Sequence, residues 1–469
     1  MKKSTIPLLF LTILLLPIYL FAQCPTGNVS LATQAEVDQF TADYPNCDKI
    51  SGYLLINGAD INNLSGLSKI SEISGYLKIA NTQTTKINFE NLKIIGDDLH
   101  VFDNQLLENI DLTQLTTLKG KLSFFQNSNL ITLDLNRLTS CEDVYFKKNE
   151  LLQSINLCKL IFVERGFALL RNSTLNSICL ENLKEIKKGQ LQFLFNFSLK
   201  ELNLNQLTTI NGGLFIMNND VLEKLDLNQL ASVSHFGNIT VSDNLKLTHL
   251  NLNNLKSEVY DVFIGRNQSL KNIDLCQLTS IKRYLYIEEN TSLNSICFDD
   301  LSIIGIKLSI IGSKLENLDT FKNLKRVGFV PDDNDEFPGL TIVGNSTLTS
   351  CASLCNLLNS NGIKGYFQIS NNPSACSSLD EIKSKCTTLS IDNELVDDFK
   401  TYPNPTQDIL NLSTNLINPR YTITDVMGRI LKNGIIKSSI IDISEFKSGV
   451  YYISLFKDNI TFVKTIIKK

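Results

Sequence analysis

From Leu54 onward the chain repeats one arrangement of apolar and polar positions: an apolar-x-apolar triplet, often followed by asparagine, then Leu-x-x-Leu-x-Leu-x-x-Leu. The triplet opens at Leu54, Leu77, Leu99, Leu122, Val144, Phe167, Leu191, Leu214, Ile239, Val262, Leu285, Leu308, Leu340 and Phe367. Up to Leu308 the mean interval is about 23 residues, the period of a solenoid coil. Alternation over three residues, as in Leu99-His100-Val101 and Leu225-Asp226-Leu227, turns two side chains inward and one outward, which is strand chemistry. Each coil offers two such strands. Coils stacked in parallel at ~4.8 Å share one apolar interior, and none can bury its own face alone. The pattern predicts a mainly β protein, a right-handed parallel β-helix or leucine-rich solenoid of about 14 coils, followed by a small antiparallel β-sandwich.

Both ends depart from the repeat. Residues 1–22 carry Lys2 and Lys3, an apolar run interrupted by Pro7 and Pro17, and a small residue, Ala22, before Gln23. This is the grammar of a secretory signal peptide cleaved between Ala22 and Gln23; the run is too short and broken for a retained span. Lipidation at Cys24 is disfavoured because Gln23 is not small. Residues 23–51 read as a disulfide-stapled cap with a helix near Ala32–Asp43, 52–388 as the solenoid, 389–400 as a linker, and 401–469 as the terminal β domain.

Two segments carry family resemblances. "ISGYLLINGADINNLSGLSKISEISGYLKIANT" (50–82) and "LKIIGDDLHVFDNQLLENIDL" resemble the receptor L domain, the leucine-rich β-helical ligand-binding module of growth-factor receptor ectodomains, over about residues 47–386. No Cys-rich module or transmembrane segment follows, so only the scaffold carries over. "TYPNPTQDILNLS", "YTITDVMGRIL", "SGVYYISLF" and "FVKTIIKK", in that order, resemble the C-terminal sorting domain of the type IX secretion system of Bacteroidetes. The resemblance puts the sorting signal on Tyr402, Pro403, Asn404 and Pro405, on Asp425, Gly428 and Arg429, on Gly449 and Tyr451, and on Lys464 and Lys468. It implies the type IX machinery as partner and a secreted or cell-surface destination reached through the periplasm.

Composition narrows the function. With 43% hydrophobic residues the chain has the material for a core, which excludes a disordered tail protein. The net charge is −4; the tail from Lys400 carries +5 and the leader +2, leaving −11 on residues 23–399, so no nucleic-acid partner is expected. Three histidines (His100, His235, His249) and no HExxH or Walker loop give no catalytic signature. The rival is a carbohydrate-active β-helix enzyme, which would need clustered Asp with Arg or Lys on one outward face; a purely structural surface spacer is a further alternative. The leading expectation is a non-enzymatic binding or adhesion protein with a glycan or protein ligand.

Three surfaces are candidate sites. The outward column of the first strand contains Tyr145, Phe215, Phe263 and Tyr286, large aromatics that mark a ligand face unless a loop covers them. The outward columns of the second strand are rich in Asn and Asp, from Asn88, Asp111 and Asp134 onward, and read as amide ladders along the stack or, more sharply, as bridges for Ca2+. Asp332, Asp333, Asp335 and Glu336 lie in "PDDNDEFPG", where one coil is longer than its neighbours. They could collect Ca2+, but lack calcium-loop spacing and read as a solvated loop; no cofactor is expected.

Export permits disulfides, and eleven cysteines are present. Cys158 follows Leu157 in one coil and Cys179 precedes Leu180 in the next; Cys276 and Cys297 repeat the relation. Diagonal neighbours on adjacent parallel strands lie within disulfide reach, so the register predicts bonds 158–179 and 276–297. Cys24 and Cys47 staple the first cap. Two bonds among Cys351, Cys355, Cys376 and Cys386 staple the second, leaving Cys141 free.

Overall fold

The computed structural model describes residues 24–328 apart from 235, 338–391, 399–414, 419–436, 438–457 and 460–469. The proposed cleavage site at Ala22 and Gln23, His235, and the acidic segment with Asp332, Asp333, Asp335 and Glu336 lie outside them. The chain divides into two compact units, Met1–Ile382 and Lys383–Lys469.

The first unit is a β-solenoid of stacked coils. Its long sheet is wholly parallel, has 15 strands and runs in chain order from Val29–Leu31 to Tyr366–Ser370. The register is the one the repeat predicts: Leu55, Lys78, His100, Ser123 and Tyr145 are successive partners, as are Phe215, Thr240, Phe263 and Tyr286. Two corrections apply. The capping segment donates the strand Val29–Leu31, so the sheet has one member more than the pattern counts. Most coils also hold three strands, not two. Leu99–Phe102 is followed by Asn109–Asp111 and then by Thr117–Leu118, whose two residues are too short for any alternation to register. The helix near the N-terminus spans Gln34–Asp43, with Thr33 accepting from the Glu36 N–H as its cap.

Each coil turns its first corner through a left-handed residue. From Asn81 to Asn371 thirteen residues in this corner have φ between 53° and 68°, and Lys148, Arg171 and Phe195 are among them. Non-glycine residues in this region cost roughly 1–2 kcal/mol each, so something must hold them. The next residue does so. Asn104, Asn127, Asn149, Asn172, Asn196, Asn219, Asn244, Asn267 and Asn290 are all fully buried. Each Oδ1 from Asn127 to Asn290 accepts both the backbone N–H and the Nδ2 of the asparagine one coil earlier, at 3.0–3.4 Å. Each Nδ2 also reaches a carbonyl of the preceding coil, as from Asn127 to Val101 at 2.9 Å. The amide ladder therefore exists, but inside the corner.

The Asn/Asp columns of the second strand do something else. Asp111, Asp134, Asn156, Asn203, Asp226 and Asn251 each turn Oδ1 onto the N–H two residues on, at 3.0–3.3 Å. These are local Asx turns, which relieve the corner's own backbone instead of linking coils. Asp319, placed in the same column by the pattern, begins a short 3-10 helix.

Disulfides join Cys24 to Cys47, Cys158 to Cys179, Cys276 to Cys297 and Cys351 to Cys376, with Cα separations of 4.7–5.8 Å. Cys355 and Cys386 are also disulfide-bonded. Cys141 is free and buried. It fills an inward position of the third strand that Val163 and Ile186 fill in the next two coils, and burial pushes its thiol pKa far above the ordinary value. Changing both Cys158 and Cys179 to serine should lower the free energy of unfolding by about 3 kcal/mol, the chain-entropy value for a loop of about 20 residues. Urea titration of the two proteins under non-reducing conditions measures it.

The second unit holds two antiparallel sheets. Phe399–Tyr402, Ile409–Thr414 and Ile440–Asp442 form one; Ile430–Ile435, Arg420–Asp425, Gly449–Lys457 and Ile460–Lys468 form the other. Phe399, Leu410, Leu412 and Ile441 meet Ile423, Ile453, Leu455 and Ile466 in one core. Helix Leu379–Ile391 and strand Phe399–Tyr402 both enter the span 389–400 that the pattern reads as linker.

Candidate functional site

The outward face of the long sheet carries the most varied chemistry of the solenoid. Between His100 and Gln192 it is hollowed into a recess of about 1000 Å³. The small residues Ser123, Gly166 and Ala168 line it together with His100, Tyr145 and Gln192. One wall is ionic. Arg165 places Nη1 3.0 Å from Glu142 and Nε 3.7 Å from Asp143, while the other Asp143 oxygen accepts the Gly166 N–H at 2.7 Å. Glu164 pairs with Lys187 at 2.5 Å, and Lys121 and Lys188 also line the recess. Sequence reading found Tyr145 but missed this wall, because Glu142, Asp143 and Arg165 precede their strands and fall in no outward column.

Phe215, Phe263 and Tyr286 occupy the same face farther along. None of them stands free in solvent; all are half-buried. A Cβ on Gly213 would lie 2.5 Å from the Phe215 ring, and one on Gly265 would lie 2.6 Å from the Phe263 ring, so each ring lies across bare backbone. Such rings shield a glycine's exposed strand from water. Tyr286 stacks on Tyr284 at 5.3 Å and meets Phe263 edge-on at 6.4 Å. Burial, with smaller contributions from Tyr284 and nearby carboxylates, pushes the Tyr286 hydroxyl up to about 12. The four aromatics thus form two places: Tyr145 in the recess, Phe263 and Tyr286 in a separate cluster, with Phe215 between them.

His100 sits 3.1 Å from Asp98, and His249, the first residue of its strand, 2.9 Å from Asp274. Among the described residues no three His, Cys, Asp or Glu side chains converge on a metal position.

In the second unit most residues of the sorting signature build turns and edges. Asp425 accepts from the backbone of Met427 and Arg429 and from Arg429 Nε, at 2.8–3.0 Å, around Gly428 at φ 76°. Asn404 spans to the last strand, donating to Thr465 and accepting from Ile467. Gly449 pairs with Lys468; Tyr451 donates its hydroxyl to Lys447 O at 2.7 Å, and Lys468 reaches Asp408 at 2.7 Å. Tyr402, Pro403, Pro405 and Arg429 are exposed, and Lys464 is half-buried.

Residues 46–142 match the receptor L domain model, and residues 400–469 match the secretion system C-terminal sorting domain. The chain carries both modules. The chain is 31% identical over 216 residues to Sporulation-specific protein 2 of Saccharomyces cerevisiae, covering 45% of this chain and 39% of that protein. It is 25% identical over 224 residues to the cell surface GPI-anchored protein ECM33 of Candida albicans, covering 47% and 46%. The chain spans under half the length of these relatives. The sorting domain makes this a secreted or cell-surface protein and implies the secretion machinery as a partner. No helix among the described residues is long and apolar enough to cross a membrane.

Proposed function

We propose that the protein is an exported, non-enzymatic binding or adhesion protein that presents the outward face of its long sheet to a glycan or protein ligand. The observation that carries this reading is the recess between His100 and Gln192, a hollow with an ionic wall and the outward ring of Tyr145 on an otherwise regular strand face. The receptor L domain match and the cell-surface relative support the same reading. Screening the full chain on glycan and protein arrays tests it. Tyr145→Ala with Gln192→Ala should weaken a ligand found there at least tenfold, while stability changes by less than about 1 kcal/mol because neither side chain belongs to the interior. Unchanged affinity would move the site off the recess.

A second reading rests on the ionic wall. Glu142, Asp143, Glu164, Arg165 and Lys188 are the clustered acids and bases that a carbohydrate-active enzyme requires. Against it, Arg165 and the Gly166 N–H already engage Glu142 and Asp143. Chain shortening of a polysaccharide by the wild-type protein, abolished in Glu142→Gln, would establish catalysis and displace the binding reading.

A further inference from the structure

Beyond the recess four successive coils interleave rings and cations. Phe236 is 66% exposed at a corner. Its ring lies 6.1 Å from Tyr260 in the next coil, and Lys282, one coil further, lies 5.0 Å above it. Arg283 lies 4.4 Å over Tyr260 and 4.9 Å over Tyr284. Tyr284 stacks on Tyr286, and Lys307 closes the row 5.4 Å from the Tyr286 ring. Backbone stacking holds the row in order, Tyr260 N donating to Gly237 O and Arg283 N to Tyr260 O.

The charges here are unevenly satisfied. Asp261 holds Arg283 through two hydrogen bonds, at 3.1 and 2.8 Å. Neither Lys282 nor Lys307 makes an ion pair among the described residues, although the solenoid is acidic overall. Glu288, the acid nearest Lys307 in charge, is engaged by the Ser309 hydroxyl at 2.7 Å. Two cations without carboxylate partners therefore flank an aromatic terrace.

We infer that this terrace binds an anionic glycan, a sugar chain bearing carboxylate or sulfate groups; the inference rests on the binding reading above but puts the ligand at a different place. Ring faces accept the apolar C–H faces of sugars, and flanking ammonium groups accept the acid substituents. A peptide fits less well. The long-sheet strands here are paired on both sides, so no edge is open for strand addition. The row from Phe236 to Lys307 spans three coil steps, ~14 Å at the spacing of parallel strands, which is the length of a few sugar rings.

Affinity electrophoresis of the full chain through gels holding polygalacturonate, chondroitin sulfate or a neutral β-glucan tests the assignment. The acidic polymers should retard the protein and the neutral one should not, with polygalacturonate against chondroitin sulfate separating carboxylate from sulfate recognition. Phe236→Ala and Lys282→Gln, both exposed positions, should each weaken retardation about tenfold without changing the unfolding transition, and Lys282→Arg should restore it. Equal retardation by the neutral glucan, or retardation insensitive to Phe236→Ala and Lys282→Gln, overturns the assignment. So does a ligand on the arrays that is only a protein, or glycan binding lost in Tyr145→Ala alone; both results leave the general binding function standing.

Discussion

Replacing Asn196 by leucine should lower the free energy of unfolding by about 3 kcal/mol, although the two side chains are similar in size. Asn196 is fully buried; its Oδ1 accepts from Asn172 N and Nδ2 at 3.2 and 3.4 Å, and its Nδ2 donates to Leu169 O at 3.1 Å and Asn219 Oδ1 at 3.3 Å. Leucine takes the acceptor from Asn172 N and a donor from the Leu169 carbonyl, and leaves Asn172 Nδ2 with Phe146 O alone and Asn219 Oδ1 with the backbone N–H of residue 196 alone; a stranded buried polar group costs ~1–3 kcal/mol before relaxation. Aspartate should be no better, since it faces the Leu169 carbonyl with an acceptor and brings a charge into the interior. Asn211, exposed on the same coil, supplies the comparison: Asn211→Leu should stay within about 0.5 kcal/mol of wild type. Urea unfolding followed by circular dichroism decides the matter. Equal midpoints for the two variants would show that the ladder does not support the corners.

A chain ending at Thr401 should fold its solenoid and remain in the periplasm. The deletion removes most of the matched sorting domain and every strand of its larger sheet, while none of the solenoid's described disulfides or strands involves the removed residues. Immunoblots of periplasm, outer membrane and medium measure the distribution. Truncated protein at the surface or in the medium would mean that another segment carries the address. Asp425→Ala, which opens the turn at Gly428 and leaves the sheets' core intact, should reproduce part of the loss.

Much of this architecture was legible because a solenoid repeats its instructions. Inward leucines at a constant interval establish the register, and the register places Cys158 beside Cys179 and Cys276 beside Cys297 without further information. Three things escaped it. A two-residue strand such as Thr117–Leu118 has no period to detect. Asparagines are abundant at two positions of the coil, and composition does not distinguish those that link coils from those that cap a turn. The distinguishing mark is the preceding left-handed residue, which side chains as different as Lys148, Arg171 and Phe195 adopt. At the candidate sites, the outward column puts Tyr145, Phe215, Phe263 and Tyr286 on one face of the long sheet, as the strand register has them. Their partners Glu142, Arg165, Phe236, Tyr260 and Arg283 lie in corners, where strand alternation makes no statement.

The ladder also has an interruption. After Asn290 the corner position falls to Ser313, which bonds forward to Asn345 but receives nothing from Asn290. Cys276–Cys297 ends on the coil of Asn290, and Cys351–Cys376 begins beyond that of Ser313, so neither bond crosses the interval. What does cross it includes the pairing of Tyr284–Glu288 with Lys307–Ile311, the short pairing of Ile303–Ile304 with Arg326–Val327, the stacked rings of Phe298 and Phe321, and the bonds from Phe298 N to Thr320 Oγ1 and from Thr320 Oγ1 and Asn323 Nδ2 to Asp299. A stack stabilised by nearest-neighbour contacts yields first at its weakest interface. The expected result is a preferred fracture plane: under tension the solenoid would part there into two blocks, each still clamped by its own amides and disulfides.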